Sequence, residues 1–425
     1  MALCTLPAYC AKLTSFNPHS RTDLETSRIA DRVQRIKPSP STAAADRANE
    51  LRRQGQSIIS LVVGEPDFDT PRHIRAAAAQ AMEQGATRYT LMAGTLELRQ
   101  AIVAKLAREN GLVYGLNEIM VTSGAKHAIY SLLSATLQAG DEVIIPAPYW
   151  VSYPDMVLAS DGTPVCLPCP ESAGFKLTPA QLQAAITPRT RWLLLNSPSN
   201  PTGASYTLAE YRALADVLLR HPQVLVMTDD IYEHIRFDGA RTPHLLQAAP
   251  ELRERTAAVN GVSKTYAMTG WRIGWVAAPR DLIQALDTLL SQSTGNCCSI
   301  SQAAAVAALN GDQSFVAKCV TIYQQRRDRS AAQINAIPGL SCLVPVGAFY
   351  LYVNCAGLIG KTTPQGKALV QDGDVVMYLL EAAGVALVAG TAYGLSPYFR
   401  MSIATSIENL DEGCRRIAAA VAALH

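Results

Sequence analysis

The sequence has little of what marks a membrane, nucleic-acid-binding or disulfide-stapled protein. No uninterrupted apolar run approaches the ~18–20 residues that a bilayer-spanning helix needs. Charged residues make up only 17% of the 425, the formal net charge is +2, and Lys and Arg are dispersed, so no basic stripe suggests nucleic acid. No repeat, low-complexity tract or heptad seam is present. The stretch Met1 to Thr22 lacks both an Arg-rich amphipathic pattern and an apolar core ending in a small-residue cleavage site. It reads as a disordered extension over residues 1–24 or an overcalled start, with an organellar transit peptide as the other option. Ten cysteines scattered through a long chain fit reduced thiols in a cytoplasmic protein. One CxxC occurs, Cys166-Leu167-Pro168-Cys169, without the second pair that zinc would require. Pro164 and Pro168 imply an extended or looped segment there, not the helix start of a redox pair.

What is present is ample core material, 49% hydrophobic, in a length that suits two domains. The middle of the chain alternates short β-branched or aliphatic runs with helical stretches, the mark of an α/β layer with a mainly parallel sheet. Strands are expected at Ile119–Thr122, Glu142–Ile145, Trp192–Leu195, Val224–Met227 and Ala257–Asn260, and helices at Ala125–Gln138 and Leu208–Arg220. Turn sequences follow several of these strands, at Ser123-Gly124-Ala125, Pro146-Ala147-Pro148 and Asn196-Ser197-Pro198. The edge they occupy is where open α/β sheets bind ligands. From about Ser299 the texture becomes mixed: a long helix (Phe315–Ile334), short strands near Gly347–Val353, Val385–Val388 and Phe399–Ile403, and helices near Asp374–Ala383 and from Asn409. This predicts a smaller α+β domain, joined by a helix at Thr42–Arg53.

Several segments carry chemistry. Ser263-Lys264-Thr265-Tyr266-Ala267-Met268-Thr269-Gly270-Trp271-Arg272 places a lysine in a hydroxyl- and glycine-rich turn just after a strand. Such a lysine can form a Schiff base if its surroundings depress its pKa, and Ser263 and Arg272 are donors of the kind a phosphate requires. Alone, an exposed loop lysine is the ordinary reading. Asp229-Asp230-Ile231-Tyr232 puts a carboxylate at a strand end, where it can partner a protonated ring nitrogen or simply cap the next turn. Thr122-Ser123-Gly124-Ala125-Lys126 opens a helix with small residues, an anion cradle or an ordinary helix start. Trp150 offers a flat indole at a sheet edge, or core filling.

Together, and in order along some nine-tenths of the chain, these segments resemble the class I/II (fold-type I) pyridoxal-phosphate-dependent aminotransferases, in particular the aspartate/prephenate subgroup. Asn196-Ser197-Pro198-Ser199-Asn200-Pro201-Thr202-Gly203, Arg88-Tyr89-Thr90, Gly64-Glu65-Pro66-Asp67-Phe68 and Tyr398-Phe399-Arg400-Met401-Ser402-Ile403 extend the match. The resemblance implies a mainly parallel central sheet with helices on both faces plus a smaller α+β domain. Its expected divisions are an N-terminal arm and part of the small domain at 25–63, a large cofactor domain at 64–305 and a small domain at 306–425. Lys264 is then the residue that bonds pyridoxal 5′-phosphate and moves the substrate proton. Gly124, Ala125, Ser263 and Arg272 hold the phosphate, Asp229 the ring nitrogen, Tyr232 and Asn200 the 3′-oxygen, and Trp150 the ring face. Gly64, Trp150, Asn200 and Arg400 meet the substrate, with Arg400 on its α-carboxylate and Lys126 on a distal carboxylate. Tyr89 is expected to reach a neighbour's phosphate, which makes the active unit a homodimer with shared sites. Amino-acid and 2-oxo-acid substrates follow, with no nucleic-acid or membrane partner and no metal. Aspartate or glutamate transamination is the leading activity and prephenate amination to arogenate the alternative. Ile403, where relatives commonly carry Tyr, and Leu91-Met92 depart from the pattern.

Overall fold

The computed structural model describes residues 28–425, so the extension expected at 1–24 lies outside the described residues. In chain order the strands are β1 (Ile59–Ser60), β2 (Ile119–Thr122), β3 (Glu142–Ala147), β4 (Thr163–Pro168), β5 (Thr190–Asn196) and β6 (Leu225–Asp229). They continue with β7 (Thr256–Gly261), β8 (Gly274–Ala277), β9 (Tyr350–Asn354), β10 (Val385–Ala386), β11 (Val388–Ala389) and β12 (Tyr398–Ser402). Seven of them form one sheet in the order β2-β8-β7-β6-β5-β3-β4. All neighbouring pairs are parallel except those made by β8, which is antiparallel to both β7 and β2.

The alternation of side chains along each strand divides the interior into two apolar layers. Ile119, Val121, Ile144, Leu193 and Leu195 face one, with Leu98 and Ile102 of the helix Leu96–Lys105 and Leu214 of the helix Leu208–Leu218. Met120, Val143, Ile145, Trp192 and Leu194 face the other, against Ile129, Leu132 and Leu133 of the helix Ala125–Thr136. Burial on both faces is why these strands read as continuous apolar runs instead of alternating ones.

Two strands of the seven-stranded sheet went unforeseen. β4 is an edge strand paired only with β3, a position that tolerates Pro164 and Pro168 because one side needs no ladder donors. β8 follows β7 after residues 262–273, a connection whose only helix is the single turn Thr269–Trp271. Without a crossover helix the chain returns antiparallel. The turn that carries Lys264 is this reversal.

The remaining core gathers around the antiparallel sheet β11-β12-β9 and the helices Ser314–Asn335, Asp372–Ala383 and Ile407–Ala422. The pairing of β1 with β10, and Leu51 and Ile58 packing with Leu380 and Ala386, bring the N-terminal helix Pro40–Arg53 to this part. Among the described residues no helix is long and apolar enough to cross a membrane.

Candidate active site

The C-terminal ends of β2, β3, β5, β6 and β7 converge on one cavity of about 560 Å³, closed on its other side by Val62–Glu65, Tyr350 and Arg400. Gly64, Ala125, Lys126, Trp150, Asn200, Asp229, Tyr232, Ser263, Lys264, Arg272 and Arg400 all line it. Gly124 stands just outside the lining as the residue before the helix Ala125–Thr136, with φ +88. Tyr89 is not brought to the cavity; it is 97% exposed.

Lys264 lines the cavity from the turn after β7. Its Nζ donates to the Gly64 carbonyl at 2.6 Å. Burial lowers its pKa from 10.5 to about 8, with Arg272 and Arg400 adding to the fall against the opposing charges of Glu65 and Asp229. Asp229 is buried at the end of β6 and accepts from the Tyr153 hydroxyl at 2.6 Å and the Ile231 amide at 3.3 Å. Burial raises its pKa to about 6 despite those bonds. Tyr232 shares a 2.8 Å hydrogen bond with Tyr350, and burial holds its phenol protonated well beyond the ordinary range.

At one end the chain is packed tightly around a cation. A Cβ on Gly124 would lie 2.4 Å from the Arg272 guanidinium, and one on Gly274 would lie 2.5 Å from the Ala125 amide nitrogen. Arg272 is held by the carbonyls of Thr269 (2.7 Å) and Ser123 (3.2 Å), beside Ser263 and the first turn of the Ala125 helix. Guanidinium, hydroxyl and helix N-terminus form a donor set for a phosphate. At the other end Arg400, 2% exposed, donates to Asn200 (3.0 Å) and to the Val62 carbonyl (2.5 Å) and stacks 4.4 Å from the Tyr350 ring centroid. Its Nε is buried without a partner. Lys126 lies 4.8 Å from the Trp150 ring centroid, and burial and Arg272 lower its pKa. Among the described residues neither Arg400 nor Lys126 forms an ion pair. Trp150 itself packs edge-to-face on Tyr153.

An end rich in phosphate donors, a buried acid, a desolvated lysine and an indole around one cavity fit a phosphorylated pyridine aldehyde. The family profile described as aminotransferase class I and II matches residues 56–417. The chain belongs to this family. As a class I/II aminotransferase it uses pyridoxal 5′-phosphate. It is 53% identical over 391 residues to an aspartate aminotransferase of Rhizobium meliloti, covering 92% of this chain and 95% of that protein. It is 52% identical to an aspartate/prephenate aminotransferase of Cereibacter sphaeroides, covering 93% and 99%. Among solved structures, the R. meliloti aspartate aminotransferase superposes with a TM-score of 0.92 at 52% identity, covering 94% of this chain and 100% of that one. The Thermus thermophilus aspartate aminotransferase with maleate does so with 0.86 at 40% identity, covering 92% and 99%.

Residues of this aminotransferase's cavity that its sequence did not single out include Tyr153, Tyr350, Asn196, Glu65 and Thr269. Tyr153 and Tyr350 hold the two β6-end groups, Asn196 donates to the Asp229 carbonyl (2.8 Å) and accepts the Asn200 amide (2.8 Å), and Thr269 donates to Glu65 (2.8 Å). Asn196, Glu65 and Thr269 lie within segments that carry the family resemblance and so had a signal. The tyrosines, ordinary core residues by pattern, had none.

Proposed function

We propose that the enzyme transfers the amino group between L-aspartate or glutamate and 2-oxoglutarate or oxaloacetate. The carrying observation is a pair of buried or half-buried cations, Arg400 and Lys126, that line one cavity without acidic partners among the described residues. A substrate with two carboxylates satisfies both.

Pyridoxal phosphate, when bound, supplies an aldehyde that holds the amino group and a ring that accepts electron density from the substrate's Cα. Arg272, Ser263 and the amide of Ala125 would hold its phosphate, with Gly124, whose own amide donates to the Thr122 carbonyl at 2.7 Å, shaping the turn beneath it. Asp229 would keep a proton on the ring nitrogen, Tyr232 and Asn200 would donate to the 3′-oxygen, and Trp150 would offer its indole to the ring. Arg400 and Asn200 grip the α-carboxylate, with the Arg400 Nε as the donor still to be used. Lys264, once neutral, takes the proton from Cα as a general base and returns it to complete the transfer. Lys126 reads the distal carboxylate, and Gly64 allows the substrate to approach the backbone. Support for a dicarboxylate also comes from the maleate named with the T. thermophilus structure.

Prephenate amination to arogenate is the second reading, favoured by the same cation pair and by the name of the C. sphaeroides relative. Tyr89, exposed and absent from the lining of its own cavity, supports a homodimer in which it completes the neighbour's phosphate site. The cytoplasm, suggested by scattered free thiols, is the proposed location.

The test is a donor screen on the cofactor-loaded protein, following bleaching of its visible band by single amino acids. Aspartate and glutamate should bleach it at least ~10-fold faster than alanine or phenylalanine, in line with a recognised charged group. Faster bleaching by alanine or phenylalanine would defeat the dicarboxylate reading. Arogenate formation from prephenate in the same assay decides the second.

A further inference from the structure

A buried polar chain runs behind the cavity, outside its lining. The Glu233 carboxylate accepts from Lys105, from Asn110 (3.0 Å) and from Asn260 (2.7 Å). Lys105 also donates to Asn110 (2.9 Å) and lies 3.6 Å from Glu109. His234 Nε2 is 2.8 Å from Glu109, and its Nδ1 is 3.1 Å from the Thr265 hydroxyl. A carboxylate only accepts, so Nε2 carries a proton toward Glu109, while Nδ1 shares a hydrogen bond with the Thr265 hydroxyl and lies 3.6 Å from the Glu233 carboxylate.

Glu109, Glu233 and His234 have ligand atoms within 4.8 Å of one another, the spacing of a cation site, but the Lys105 ammonium pairs with both carboxylates and supplies that charge. Glu109, His234 and Thr265 also stand in the order of a carboxylate–imidazole–hydroxyl triad. Thr265 is 4% exposed and absent from the cavity lining, so its hydroxyl faces no substrate. What Thr265 does have is the adjacent peptide of Lys264. The turn they share is strained, with non-glycine residues Ala267 (φ +52) and Arg272 (φ +56) in the left-handed region, and such a turn needs ties from outside. Thr70 supplies one, donating to the Ala267 carbonyl at 2.5 Å.

We propose that His234, oriented by Glu109, is a positioning residue that aims Lys264 by holding the Thr265 hydroxyl. The proposal rests on the assignment of Lys264 as the cofactor lysine. Thr265→Val removes the hydroxyl at nearly constant shape, Thr265→Ser keeps it, and His234→Gln replaces the ring. Each is loaded with pyridoxal phosphate, and the pH midpoint of the visible band, kcat, KM for aspartate and Tm are measured. Thr265→Val and His234→Gln should move the midpoint by about half a pH unit or more. Their kcat should fall about 10- to 100-fold, the cost of a small misplacement, with KM within about twofold. Thr265→Ser should match the wild type. An unmoved midpoint in Thr265→Val, or a loss of kcat only as large as the loss of folded protein, overturns the proposal. If that variant does not fold, His234→Gln decides by the same two readings. A wild type with no visible band defeats the Lys264 assignment instead, a separate result.

Discussion

Two clusters of ionisable groups, which come within a few residues of each other at Asp229 and Glu233, differ in one respect. Behind the cavity, Lys105 (1% exposed) and Glu233 pair with each other, and Asn110, Asn260, Glu109 and His234 take up much of their remaining hydrogen-bonding capacity. Inside the cavity, among the described residues, Lys264 has only a carbonyl for a hydrogen-bond partner, the Asp229 carboxylate a phenol and an amide, and Arg400 an Nε with none. Burial is similar and pairing is not. The closed cluster holds Glu233 down to about 2, because Lys105, His234 and Asn110 outweigh desolvation. In the open cluster desolvation wins, pushing Asp229 up to about 6 and Lys264 down to about 8. Incomplete pairing leaves groups whose protons can move near neutral pH, which is what chemistry on an amino acid needs.

The sharpest separation of the two clusters is Lys264→Ala. It should abolish the visible band and lower kcat by at least ~10⁴-fold, the upper range of general acid–base catalysis. Tm should hold or rise, since a desolvated amine is lost. Lys105→Met should do the opposite, costing about 3–5 kcal/mol in chemical denaturation because it strands a buried carboxylate. Adding Glu233→Gln to it should restore much of that loss, and no recovery would mean that the pair is not the stabilising unit. Asp229→Asn should lower kcat about 100- to 1000-fold, as removal of a preorganised charge does, with unchanged folding by circular dichroism. The pH dependence of cofactor capture follows from the lowered pKa of Lys264. The reactive neutral amine grows as pH rises, so the rate should climb about tenfold per unit below pH ~8 and level off above it. A rate still climbing at pH 10 would show an ordinary lysine. Smallest is Lys126→Ala, which should reduce the preference for aspartate over alanine by about tenfold, read from the ratio of kcat/KM values.

Much of this was legible in the chain itself. Ile119–Thr122, Trp192–Leu195 and Ala257–Asn260 are short aliphatic runs bounded by turn residues, and local pattern sufficed to mark them as strands because they are buried on both faces. The ordered motifs around Gly124, Asn200, Asp229, Lys264 and Arg400 sufficed for the family, since each is a contiguous string whose chemistry lies in residue type. Pattern failed where position depends on partners far along the chain. β4 counts as a strand only because β3 lies beside it, and β8 runs backward only because residues 262–273 hold no crossover helix. Tyr153 and Tyr350 become cavity residues only through Asp229 and Tyr232, 76 and 118 residues away respectively. The sequence alone determined which groups are present: a lysine, an acid, and cations without excess acid to neutralise them. Tertiary structure decided which of those groups would be buried together and left short of partners. That choice sets their pKa values, because desolvation and pairing are properties of a place and not of a residue.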